Sequence, residues 1–172
     1  MESSSLEKLI AALERGTKMH VSILPLGRTG FCGKLALSQN HIIHAHPYCD
    51  NMKKTRGGLR KCLICKHFAT KKAVDTGVPF CSYCIHGVWE AVVPVIRENT
   101  VMAVVFVGGL FERATRGYVK EYGSLLQTVP DASAYIDTGK VVSDYILDMV
   151  QADPSVLSRE KATGLTAVVD YV

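Results

Sequence analysis

The residues best placed to do chemistry are thiols. The stretch KCLICKHFATKKAVDTGVPFCSYC, residues 61–84, holds two Cys-x-x-Cys pairs, Cys62/Cys65 and Cys81/Cys84, with fifteen residues between them. That spacing is the one expected of a four-thiolate zinc site. A fifth thiol, Cys49, precedes the pairs. An odd thiol beside a tetrad also suits an iron–sulfur cluster or a thiol-lined pocket. A redox dithiol is the third chemistry open to such pairs. Cys32 stands apart in a glycine loop and reads as a bystander.

The elements that must position these thiols are of two kinds. GLRKCLICKHFATKKAVDTG, residues 58–77, has helical periodicity, so Cys62 and Cys65 lie one turn apart and share a face. On that helix Leu59, Cys62, Leu63, Phe68, Ala69 and Ala73 are expected mostly inward, with Gly77 past its end. PFCSYC is extended, and a three-residue offset there does not bring Cys81 and Cys84 to one face. Convergence of all four would need a bend around Ser82-Tyr83. Three outcomes stay open: a bound metal or cluster, reduced thiols lining a pocket or core, and a redox switch.

Other candidate groups are less specific. His41, His44 and His46 cluster at a strand end, where alternation puts His44 and His46 on one face; partly exposed polar residues are the plainer reading. His86 lies two residues beyond Cys84, and Trp89, the only tryptophan, fits core packing as well as a ligand wall. Catalysis finds little support. The chain has no Gly-x-Ser-x-Gly elbow, no phosphate-cradling glycine loop and no His-Glu-x-x-His. Asp50, Asp75 and Glu90 form no paired-carboxylate pattern, so the chain is not read as an enzyme.

Composition sets the frame. The chain has 172 residues, 48% of them hydrophobic and 21% charged, enough for one compact domain with a short appendage. No apolar run reaches the roughly 20 residues of a membrane span. MESSSLEKL is not a signal sequence, and a cytoplasmic location is expected, where structural disulfides are rare. The net charge of +4 comes partly from Lys53, Lys54, Arg56, Arg60, Lys61, Lys66, Lys71 and Lys72. That cluster reads as a solvated helix face; no aromatics interleave with it, so direct nucleic-acid binding is not expected.

The remaining chain reads as strands followed by helices. Ser4-x-x-Glu7 opens a helix that Gly16 stops. KMHVSILPL is a strand ending near Pro25, and Gln39-Asn40 marks a turn between two short strands. PYCDNMKKT is a short helix. GVWEAVVPVIRE and VMAVVFVGGLFE form an apolar hairpin across Glu98-Asn99-Thr100, with Pro94 implying an edge or a bulge. After Arg113 the pattern is helical: RGYVKEYGSLLQ, a segment from Asp131 or Ser143 to Gln151, and a stretch opening with Pro154. The expected fold is α+β, a PAS-like central antiparallel sheet of about five strands flanked by helices, with a helical C-terminal region.

With these residues in place, the middle of the chain resembles the PocR sensory domain. The similarity covers roughly Lys18 to Arg113. Cys49 stands for the family's first cysteine, and Gly58-Leu59-Arg60-Lys61-Cys62 for its Gly-Leu-x-Lys-Cys element. Cys84-Ile85-His86-Gly87-Val88 matches the Cys-His-Ala-Gly-Leu element by its cysteine and glycine. Val93-Pro94-Val95 and Val107-Gly108-Gly109 stand in the strands that follow. Ile85 and His86 depart from the pattern, and Cys65 and Cys81 are additions to it. The resemblance makes Cys49, Cys62 and Cys84 the shared thiols, with Cys65 or Cys81 completing a tetrad for zinc or an Fe–S cluster. It implies a domain that senses a small hydrocarbon derivative such as a diol, alcohol or aldehyde. His46 and His86 are the expected polar contacts, and Phe31, Trp89 and Phe106 the expected walls.

The last stretch, TGLTAVVDYV, resembles the lead-in to an AraC-type DNA-binding domain. Leu157, Lys161, Leu165, Val168 and Val172 recur at seam spacing, suited to pairing with another helix or to packing on the same domain. The resulting expectation is a sensing domain over residues 1–153 and a signalling helix over 154–172. The chain would act as a homodimer and reach DNA only through a domain outside it. The rivals are a metal or redox sensor, a thiol-nucleophile enzyme, and a zinc-stapled structural module.

Overall fold

The computed structural model describes residues 4–17, 19–26, 37, 47–111 and 132–153. Within them the chain forms α1 (Ser5–Thr17), β1 (His20–Pro25), α2 (Pro47–Lys54), α3 (Gly58–Thr76), β2 (Phe80–Tyr83), β3 (Val88–Arg97), β4 (Thr100–Phe111) and α4 (Ala132–Ala152). The fold is α+β, as expected. Its four strands make one antiparallel sheet in the order β1-β4-β3-β2. The two short strands expected around Gln39-Asn40 and the helices expected over 116–127 and after Pro154 lie outside the described residues.

Local chemistry accounts for the element ends. The Ser4 hydroxyl accepts the Glu7 N–H at 3.2 Å and caps α1, which runs one residue past Gly16. The β3–β4 hairpin turns on Glu98 and Asn99, both with positive φ (51° and 60°), the pair of conformations a two-residue hairpin turn demands. Gly77 closes α3 and donates its N–H to the Ala73 carbonyl at 2.9 Å. Pro94 is not on an edge strand, because β3 lies between β4 and β2. However, β2 reaches only as far as Val92. On that side no described strand needs the N–H that Pro94 lacks, while on the other Pro94 pairs with Val104.

Strand alternation divides the core in two. One face carries Val21, Ile23, Ala91, Val93, Val105 and Val107, covered by Leu6 and Ile10 of α1 and by Tyr135, Val142 and Ile146 of α4. The other face carries Leu24, Val92, Val104 and Phe106, covered by Ala69 and Ala73 of α3. Burying each of these branched or aromatic side chains stabilises the fold by about 1.5–3 kcal/mol. Gly139 lets α4 approach closely: a Cβ there would stand 2.5 Å from Val93 Cγ2. Leu59 and Phe68 are corrections to the expected inward face of α3, at 48% and 65% exposed. Phe68 sits off the stripe Cys62–Lys66–Thr70–Ala73 that meets the sheet, while Leu59 falls in line with it but in the first turn of α3, at the helix end.

Candidate functional site

The face of the sheet beneath α3 gathers four of the five described thiols. Cys49 comes from α2, where it is buried, and Cys62 and Cys65 from the first turns of α3. The junction between these helices is tight. Gly57 adopts φ 74°, which only glycine takes freely, and a Cβ on Gly58 would fall 1.8 Å from the Met52 carbonyl oxygen. The Gly57-Gly58 pair therefore fixes Cys49 relative to Cys62. Cys84 arrives from the other side, in the turn between β2 and β3.

The bend expected around Ser82-Tyr83 is not there: both residues are in β2, the chain reverses only in the turn after it, and Cys81 and Cys84 do not converge. Cys84 accepts the Gly87 N–H at 2.9 Å on its carbonyl, and its own N–H donates to the Val88 carbonyl at 2.8 Å. Gly87 makes the reversal with φ 82°. The backbone N–H groups of Val88, at 3.4 Å, and of His86 donate to Cys84 Sγ. Hydrogen bonds from amides to sulfur favour the thiolate and fix its direction.

The electrostatic neighbours define the grouping. Cys49 feels Cys84, Cys62, Lys53 and Lys66; Cys62 feels Lys53, Cys65, Lys66 and Glu90; Cys84 feels Glu90 and Cys65. Burial pushes the Cys49 thiol up to about 12 and the Cys84 thiol up to about 11, and it raises Cys62 as well. The lysines and the amide bonds oppose these shifts without reversing them. No disulfide joins the five described cysteines. Among the described residues, no three His, Cys, Asp or Glu side chains are gathered closely enough to hold a metal ion.

Cys81 belongs elsewhere. It pairs with Ala91 and packs against the α1/α4 core, where it faces Tyr135; burial first, and then Cys81, pushes the Tyr135 hydroxyl up to about 12. Trp89 packs on that side too, edge-on to Tyr83 at 4.8 Å. Of the expected ligand-contacting residues, Phe106 lies on the thiol face and His86 lies in the Cys84 turn. Trp89 lies on the opposite face, and Phe31 and His46 fall outside the described residues.

Sequence reasoning missed the polar centre of this face. Glu90 is buried (side chain 3% exposed), and its Oε2 accepts a hydrogen bond from Lys66 Nζ at 2.8 Å. The same ammonium stands 3.5 Å from the centroid of the Phe106 ring. Gly108, opposite Glu90 in the register, makes room: a Cβ there would meet the Trp89 carbonyl at 2.5 Å and Glu90 Cβ at 2.7 Å. The signal was present. A charged residue inside VWEAVVPV, a strand apolar on both faces, must be buried and needs a partner. Lys66 stands one turn beyond Cys62 on the stripe that meets the sheet. On the same stripe Thr70 Oγ1 is buried with no hydrogen-bond partner among the described residues.

The raised thiols carry a pH prediction. The unfolded chain loses these protons near pH 9, whereas folded Cys84 and Cys49 hold theirs toward about 11 and about 12. Their contribution to stability is therefore intact below pH 9 and is lost as pH rises from 9 toward those values. Urea midpoints should fall above pH 9, and iodoacetamide should label Cys49 and Cys84 slowly at about pH 7. Rapid labelling of either thiol at neutral pH would contradict the burial argument.

An α+β domain with thiols and a buried carboxylate gathered on one face of its sheet is the class this geometry defines. The family described as "Sensory domain found in PocR" matches residues 1–144, a longer span than the Lys18–Arg113 stretch that carries the motifs. The chain belongs to that family of sensory domains. No curated protein and no solved structure matches it. No helix among the described residues is long and apolar enough to cross a membrane.

Proposed function

We propose that this chain is a non-enzymatic, cytoplasmic ligand-sensing domain of a transcription regulator. It binds a small hydrocarbon derivative between α3 and the sheet and relays occupancy to a DNA-binding domain outside the chain. The observation that carries this reading is the pair of half-buried Lys66 and buried Glu90, with Cys49, Cys62 and Cys84 within electrostatic reach, in a member of a sensory family. Apolar contact from Phe106 with a few convergent polar groups is the usual composition of a small-molecule site. The four strands are read as the described part of a PAS-like sheet, with His46 and Phe31 of the preceding segment as further contacts. The segment after Pro154 serves as signalling helix and dimer seam.

A thermal-shift panel of short diols, alcohols and aldehydes, run on metal-analysed protein, tests the reading. At least one member should raise Tm at millimolar concentration, by about 2 °C or more once the ligand exceeds its Kd severalfold. A flat response to every member would defeat the ligand class.

A second reading is favoured by the two amide hydrogen bonds on Cys84 Sγ and by the flanking Lys53 and Lys66 ammoniums. In it Cys49, Cys62, Cys65 and Cys84 hold zinc or an Fe–S cluster, with Cys81 excluded by its place on the other face. It requires the sulfurs to draw closer together than they stand. Elemental analysis of protein prepared without chelator should then give near-stoichiometric zinc or iron, and its absence would remove this reading.

A further inference from the structure

Lys66 occupies a setting that proteins also build for ligands. Its ammonium is held on one side by a buried carboxylate, at 2.8 Å, and on the other by an aromatic face, at 3.5 Å. A carboxylate and a π-face on two sides of one ammonium combine ion pairing with cation–π attraction, the two forces that hold organic ammonium groups in proteins. The two walls are rigid. Glu90 and Phe106 stand on neighbouring central strands, Glu90 opposite Gly108 and Phe106 opposite Val92, and the Phe106 residue is only 2% exposed. The occupant is not. Lys66 reaches in from α3 on a flexible four-carbon stem, and its side chain is 26% exposed.

We propose that Glu90 and Phe106 form a recognition box for a small primary ammonium ligand, and that Lys66 is its internal occupant, displaced when a ligand amine enters. The inference rests on the sensing role and names the ligand chemistry for that site. Cys62 and Cys84, both within electrostatic reach of Glu90, supply weakly polar walls suited to a short alkyl chain. Displacement frees Lys66 to swing into water and releases α3 from its one charged tie to β3 among the described residues, so ligand entry and helix movement are coupled.

The test is replacement of the internal amine by an external one. Lys66→Ala and the unaltered chain are titrated with ethylammonium chloride, sodium chloride and ethanol while Tm is followed. In Lys66→Ala, ethylammonium should raise Tm saturably, with half-saturation at least about tenfold lower than in the unaltered chain, because no tethered amine competes. Sodium chloride should not reproduce the effect, and adding Glu90→Gln to Lys66→Ala should abolish it. Should Lys66→Ala not fold, its refolding from urea is compared in the two salts, and a higher yield in ethylammonium is expected. An ethylammonium response no larger than that to sodium, equal refolding yields, or a response that survives Glu90→Gln would each overturn the proposal. A diol or alcohol that raises Tm of the unaltered chain in the same plate, with amines inert, overturns this inference alone and leaves the sensing role standing.

Discussion

Lys66→Ala is expected to destabilise the domain by about 3 kcal/mol, a fall in Tm of roughly 6–12 °C for a chain of this size. The cost comes less from the lost attraction than from what remains, a carboxylate 3% exposed with its cation gone. Glu90 stands on an inner strand, opposite Ser82 of β2 and Gly108 of β4, so its carboxylate has strands on both sides. The reverse change should be milder. Glu90→Gln leaves a lysine already 26% exposed, which can turn outward, so a loss of about 1 kcal/mol is expected. Replacing both residues, Lys66→Met with Glu90→Leu, should recover most of the lost stability, because a buried pair exchanged for apolar groups of like volume is near neutral. Urea denaturation of the three variants decides the matter. A Lys66→Ala loss under about 1 kcal/mol would mean the carboxylate finds water or another donor.

Gly108→Ala should have the second-largest effect, a loss of about 2–3 kcal/mol. The added methyl would meet backbone: the Trp89 carbonyl at 2.5 Å, and Glu90 Cβ and Cα at 2.7 and 3.0 Å. None of these is the movable end of a side chain, so β3 and β4 must part at the register shift between Trp89 and Glu90. Trp89 is the only tryptophan in the chain, so its emission reports the parting directly. Gly16→Ala is the matched control. Its Cβ would meet nothing within 4 Å, and alanine should be neutral or stabilising there by up to about 1 kcal/mol. Unchanged emission and stability in Gly108→Ala would refute the close approach.

Elements with a strong local signal were legible. The apolar runs of β3 and β4 about Glu98-Asn99, the capped α1, and α3 with Gly77 beyond its end all follow from alternation, helical period and turn chemistry. The convergence of Cys49, Cys62 and Cys84 was legible only through their resemblance to a family pattern. What periodicity could not reach was the face each element presents. Alternation separated Cys81 from Cys84, but which of them meets α4 and which meets α3 follows only from how β2 is stacked between the two layers. Phe68 and Leu59 are apolar yet exposed, since apolar residues and lysines interleave along α3 and only packing decides what meets the sheet. Glu90 and Lys66 were each read alone, one as an isolated acid and one as part of a solvated basic cluster. Their union depends on β3 and α3 being stacked, a tertiary fact.

The notch at Gly139 has a mechanical corollary. A helix seated on its sheet through a missing side chain has Val93 and Val107 bearing directly on its backbone. From that point it runs roughly 20 Å to Ala152 at 1.5 Å per residue, and Val142, Ile146 and Val150 stay buried along the way. Val93 and Val107 are next in sequence to Val92 and Phe106, which line the thiol face. A shift of those strands would therefore be met along the whole seat, and α4 would have to move as one rigid rod.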